Sequence, residues 1–183
     1  MSKKDTIIKT SLEIFVEYGF HGAPVTKIIQ AAEVSNGTFF YYFKTKEELI
    51  TELYIETKKE LYDTIHEDIQ VDASVKKNIK ALWKSWIIWG TNNKLKFNFL
   101  ELFSNSPFVS TVDKEEIQKI YSFTGELLKK GIDDDILVNI DVNLLSELIY
   151  GSIRGTILYQ QKFDVLSNEK LEEIFGLVWK SIV

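Results

Sequence analysis

Hydrophobic positions recur at intervals of three and four residues along nearly the whole chain, the period of α-helices with one buried face. Residues 4–18 place Ile8, Leu12, Phe15 and Val16 on one stripe, and Gly19 ends that helix as a C-cap. Thr26 is positioned to cap a short second helix carrying Ile28, Ile29 and Ala32. Val34-Ser35-Asn36-Gly37 reads as a turn, because these side chains cap nearby amides or tolerate left-handed backbone. A third short helix runs from Thr38 to Phe43. Thr45-Lys46-Glu47-Glu48 is a capping box: the Thr45 hydroxyl accepts from the Glu48 amide and the Glu48 carboxylate reaches back. It opens a long helix to about residue 70, with Ile50, Leu53, Tyr54, Leu61, Ile65 and Ile69 on one side.

The remainder follows the same style. Val75, Ile79, Leu82, Trp83 and Trp86 stripe a helix over about 73–92, and Trp86-Ile87-Ile88-Trp89 is apolar all round, which predicts central burial. Residues 94–104 form a shorter aromatic helix closed by Asn105-Ser106-Pro107. Asp113 with Glu116 is a second cap pair, opening a helix that Gly131 and Asp133-Asp134-Asp135 break. Asp141 starts a helix over 142–162, and a last helix covers about 168–182. Only Ile136–Ile140 has strand period, and it is short. The expected fold class is all-α, about nine helices: an N-terminal three-helix unit followed by a C-terminal helical bundle.

Composition narrows the chemistry. With 183 residues, 45% hydrophobic and 27% charged, the chain has the balance of a globular protein of one domain, or a small domain joined to a modest second one. The absence of cysteine excludes disulfide scaffolds, cysteine zinc sites and thiol catalysis. His21 and His66 lie far apart and no Glu-x-x-His pair occurs, so no metal, no cofactor and no enzymatic site is expected. No run of about 18 uncharged apolar residues exists, and Asp5 and Glu13 stand where a signal peptide needs an apolar core; a cytoplasmic protein without membrane association is expected. Charge is uneven. Residues 1–46 hold six lysines and four acids, a net of +2, while the rest holds 16 basic and 23 acidic residues, a net of −7. A small basic end on an acidic body can act locally, because electrostatics reach only about 10 Å at physiological salt.

That basic end is also where the helix pattern is distinctive. Short helices joined by a tight turn form a helix-turn-helix arrangement, in which the second helix crosses a phosphate backbone and the third enters the major groove. Phe39 and Phe43, four apart, make the inward face of the third helix. Asn36, Thr38, Phe40, Tyr41 and Tyr42 then share the outward and flanking faces, where tyrosine hydroxyls can bond phosphate and apolar surface can meet a thymine methyl. Lys44 and Lys46 follow, placed to meet phosphate. Periodicity alone also allows a core segment. Five consecutive aromatics on so short a helix cannot all be buried, however, and an exposed pair points to a binding face.

The segment from Ile8 to Leu49 resembles the DNA-binding domain of the TetR family of bacterial transcriptional regulators. The features that carry the resemblance are Phe15, Tyr18-Gly19-Phe20, Thr26, Ile28-Ile29, Ala31-Ala32, Val34-Ser35, Gly37-Thr38, Phe43, and Lys46 with Glu48-Leu49. It implies that Thr26 caps the second helix at a phosphate. It also implies that Thr38, Tyr41 and Tyr42 sit in the major groove with Ser35, Asn36 and Gly37 at its entrance, and that Lys46 holds a phosphate. Phe40 stands where the family often has a phosphate-bonding tyrosine, Tyr42 where histidine is frequent, and Glu33 where glycine is common before Val34.

The expected division is a DNA-binding domain over 1–47 and a ligand-binding and dimerisation domain over 48–183. Two recognition helices about 34–36 Å apart are needed to grip a palindromic operator in double-stranded DNA, so a homodimer is expected. Leu148, Gly151, Ser152, Gly155 and Leu158, with Leu171, Ile174, Phe175, Val178 and Ile182, offer a four-helix interface, as the resemblance also implies; the alternative is that these stripes close the monomer core. A small hydrophobic ligand is expected against Trp86, Trp89, Phe103 and Tyr121, since aromatic-lined cavities with few polar groups are typical ligand sites, although such residues also build ordinary cores. A ligand that tilts the helix beginning at residue 46 would change the spacing of the recognition helices. By resemblance this means release of DNA, hence repression. A TetR-like activator, a ligand-independent regulator and a helical interaction module that binds no DNA are the alternatives.

Overall fold

In the computed structural model, residues 2–111 and 114–183 are described, with side chains except at 111 and 114–121. Among the described residues there are nine α-helices and no strand: α1 (Lys3–Tyr18), α2 (Val25–Ala31), α3 (Asn36–Tyr42), α4 (Lys46–Glu67), α5 (Val75–Asn92), α6 (Lys94–Ser104), α7 (Lys114–Asp133), α8 (Val142–Lys162) and α9 (Asn168–Ile182), with a short 3-10 helix over Pro107–Thr111. They pack as two compact units. The first comprises Met1–Lys58 and Lys94–Lys114, the second Lys59–Asn93 and Glu115–Val183.

The first unit is built around α1. A capping box starts it: Ser2 Oγ accepts from the Asp5 amide at 3.1 Å, and the Asp5 carboxylate accepts from the Ser2 amide at 2.8 Å. Gly19, at φ 69°, ends it. The buried face holds Ile7, Ser11, Leu12, Ile14 and Phe15, so Ile8 and Val16 stand at its margin. Phe20 drops into the same core, its ring 5.3 Å from Phe15, 5.9 Å from Phe99 and 6.4 Å from Phe103. By packing, α6 therefore joins the N-terminal helices. Tyr54 stacks on Phe103 at 3.8 Å between centroids. Truncating any of these buried rings to alanine costs about 3–5 kcal/mol.

The second unit is organised by α5, which α8 and α9 cover. Trp83 Nε1 donates to Ser152 Oγ at 2.9 Å, and its ring lies 5.7 Å from Phe175. Gln160 is buried but satisfied, donating to Thr91 Oγ1 at 2.9 Å and accepting from the Leu166 amide at 2.8 Å. On the surface, Glu172 of α9 pairs with Lys80 and Lys84 of α5.

Three expectations are corrected. Gly131 does not break α7 but lies within it, because an added Cβ there would collide with the Leu137 side chain and come within 3.0 Å of Val75; the chain turns at Asp135, φ 54°. Ile136–Ile140 is not a strand: Ile136 and Leu137 donate back to the Gly131 carbonyl, and Val138 donates to the Ile182 carbonyl. Within the Trp86–Trp89 turn, Ile88 is exposed while its three neighbours are buried. Asp113 and the Glu116 side chain, the expected cap pair, lie outside the described residues.

Candidate nucleic-acid interface

The turn between α2 and α3 is fixed by backbone chemistry. After α2, the Val34 amide donates to Ile29 O at 3.2 Å and the Glu33 amide to Gln30 O at 3.2 Å, which is a Schellman closure. Its left-handed position is filled by Glu33 at φ 53°, where glycine carries no steric cost. The cap of α2 is Pro24, without a side-chain bond, and not Thr26 as expected; Thr26 stands exposed in the first turn. Proline suits this place because its fixed φ and missing N–H cost a helix start nothing.

Ser35 caps α3, its Oγ accepting from the Thr38 amide at 3.1 Å and lying 2.9 Å from Thr38 Oγ1. The helix thus begins at Asn36, earlier than its aromatic run, because the cap precedes it. Phe39 and Phe43 are fully buried, 5.9 Å apart between centroids. That anchoring forces the rest outward: Tyr41 is 74% exposed and Phe40 46%, Asn36 and Gly37 are exposed, and Thr38 and Tyr42 are half-buried. Tyr41 and Tyr42 meet edge to face at 5.0 Å.

The lysines beyond α3 are tied to backbone. Lys44 Nζ donates to the Phe40 carbonyl at 3.2 Å, placing a cation at the negative end of α3. Lys46 Nζ donates to the Phe20 carbonyl at 2.9 Å, tying the start of α4 to the turn after α1; an ammonium keeps two further protons for a phosphate. The expected capping box at α4 is offset. Thr45 Oγ1 accepts from the Glu48 amide at 3.0 Å, but the Glu48 carboxylate takes the Lys44 amide at 2.6 Å. Two lysines that pattern reading passed over also belong to this unit. Lys27, one residue after Thr26, sits 2.8 Å from the Tyr18 ring centroid. Lys4 pairs with Glu52, and that bond holds its pKa above the ordinary lysine value.

The remaining candidate positions divide. Trp86 and Trp89 are buried in the second unit, Trp86 facing Tyr150 at 5.2 Å and Trp89 Nε1 donating to Glu60 at 3.2 Å. Phe103 is in the core of the first unit, and the Tyr121 side chain lies outside the described residues. On α8, Leu148, Gly151, Gly155 and Leu158 are exposed, and a Cβ added at either glycine would meet nothing within 4 Å. Ser152 instead turns to Trp83, and Leu171, Phe175 and Ile182 are buried, because α9 spends that face on the core of its own protomer. Ile174 and Val178 are half-buried. Leu144 on α8, one turn before Leu148, is exposed as well, and so is Leu177 on α9, one turn after Ile174, which the stripe of that helix leaves out. Among the described residues no group of three or more His, Asp or Glu could hold a metal, and no helix is long and apolar enough to cross a membrane.

Residues 7–53 match the model of bacterial regulatory proteins of the tetR family, and residues 54–182 match a tetracyclin repressor-like C-terminal domain. The chain is 29% identical to the fatty acid metabolism regulator protein of Bacillus subtilis over 175 residues, covering 91% of this chain and 90% of that one. Among solved structures, a tetR family transcription regulator from Shewanella sp. PV-4 superposes with a TM-score of 0.85 at 27% identity, over 100% of this chain and 98% of the other. The transcriptional regulator FadR from Bacillus subtilis, solved in complex with stearoyl-CoA, gives 0.76 at 22% identity over 98% and 99%, a likeness of fold.

Proposed function

The chain belongs to the TetR family of bacterial regulatory proteins, and from that premise we propose that it is a dimeric repressor released from a palindromic operator by a long-chain acyl ligand. DNA binding is assigned to residues 1–47, ligand binding and dimerisation to 48–183. The observation that carries the reading is α3: Tyr41 stands 74% exposed on a helix held from beneath by two fully buried phenylalanines. Large aromatic surface kept in water is unfavourable unless a partner covers it. In the groove, α3 presents Asn36, Gly37, Thr38, Phe40, Tyr41 and Tyr42, with Ser35 at its start, while Thr26, Lys44 and Lys46 serve phosphates.

The acyl ligand class rests on similarity to a fatty acid metabolism regulator and on the fold shared with a regulator that binds stearoyl-CoA. The aromatic interior of the second unit around Trp86 and Trp89 is the assigned receptor, as apolar, ring-lined interiors are where such chains bind. Coupling of about 1–3 kcal/mol between ligand and operator would lower DNA affinity about 5–150-fold.

The test is selection of bound duplexes from a random pool, followed by titration of the complex with stearoyl-CoA. A palindromic product, and loss of the complex together with a change in tryptophan fluorescence, are expected. A complex that persists at saturating stearoyl-CoA with unchanged fluorescence would reject the acyl ligand.

A further inference from the structure

The seven residues of α3, Asn36 to Tyr42, contain no Arg, Lys or Gln. Arg and Lys paired to O6 and N7 are the commonest readers of guanine in a major groove. The next cation along the chain, Lys44, donates to the Phe40 carbonyl at 3.2 Å. Beside the Asn36 amide and the Thr38 and tyrosine hydroxyls, α3 offers apolar ring surface. Phe40 is 46% exposed beside Phe39, its ring centroid 5.3 Å away. A phenyl ring can neither donate to a phosphate nor bond a polar base edge. The apolar group that base edges present in the major groove is the thymine C5 methyl. Gly37, one turn before Phe40 and Tyr41, has no side chain, and a Cβ there would meet only Ser35 Oγ at 3.8 Å, so the surface in front of the two rings is open to close approach.

Resting on the DNA-binding reading above, we infer that Phe40 reads a thymine methyl in each half-site, with Tyr41 beside it, and that thymine, not guanine, anchors the half-site.

The experiment uses the full chain and the duplex recovered from a random pool. Each thymine is replaced in turn by deoxyuridine, which deletes only the C5 methyl. At one position per half-site this should weaken binding about three- to five-fold, the worth of one buried methyl. In Phe40→Ala the thymine and deoxyuridine duplexes should bind equally, with the melting temperature confirming the fold; in Phe40→Tyr the preference should persist. Indifference of the unaltered chain to deoxyuridine at every position, or half-sites whose strongest position is guanine, overturns the inference and leaves the regulator reading intact. A chain that enriches no duplex and shows no salt-dependent binding fails the regulator reading, and this inference falls with it.

Discussion

Glu33 holds a left-handed backbone that an L side chain adopts only at a cost of about 1 kcal/mol or more. The Schellman bonds on either side of it enforce that conformation, so the strain is retained in the folded state. Glu33→Gly should therefore stabilise the protein by about 1 kcal/mol, raising its melting temperature by about 2–4 °C in a thermal scan. An unchanged or lower midpoint would show that the turn relaxes around the glutamate. In the function proposed above, Lys46 adds a phosphate contact to its bond with the Phe20 carbonyl. Lys46→Gln should weaken all duplexes alike and reduce the slope of log affinity against log salt by about one. An unaltered slope would confine Lys46 to its bond with the Phe20 carbonyl.

Elements were legible wherever a periodic stripe and a cap coincide. Asp141, whose carboxylate accepts from the Asn143 and Leu144 amides at 3.0 Å, marks the start of α8 as its position in the sequence foretells. Thr26 and Pro24 show the limit. Both can begin a helix, and only the built turn decides between them. Gly131 shows another, since a helix-stopping glycine and a close-packing glycine look the same until Leu137 is seen folded onto it. The surface clamp between α5 and α9 lay beyond periodicity altogether. Hydrogen bonding and attraction from Lys80, with a smaller share from Lys84, hold the Glu172 carboxyl below its ordinary value. A depressed carboxylate contributes stability above its unfolded pKa and loses it as pH falls. The unaltered protein should thus lose stability faster than Glu172→Gln once pH drops below about 4.5, by under about 1 kcal/mol because the pair is solvent-screened. Parallel acid-unfolding curves would remove that role.

At the scale of the whole molecule, sequence tells which face of a helix is apolar but not which neighbour covers it. That is why the helix pattern alone does not show that α6 packs on α1, or that Leu171, Phe175 and Ile182 are buried within the protomer. The face that remains open on α8 and α9 carries Leu148, 53% exposed, Leu177, 68% exposed, and two glycines with space above them. Leu148→Glu with Leu177→Glu should convert the dimer to a monomer by light scattering while leaving helical content unchanged, and should weaken operator binding. A double variant that still sediments as a dimer would place the interface elsewhere. Among the tyrosines with described side chains Tyr41 is the most exposed, and the chain has no thiol to compete for electrophiles. Mild iodination would mark the groove face first, and a bound duplex would shade it, so the protein carries its own footprinting label.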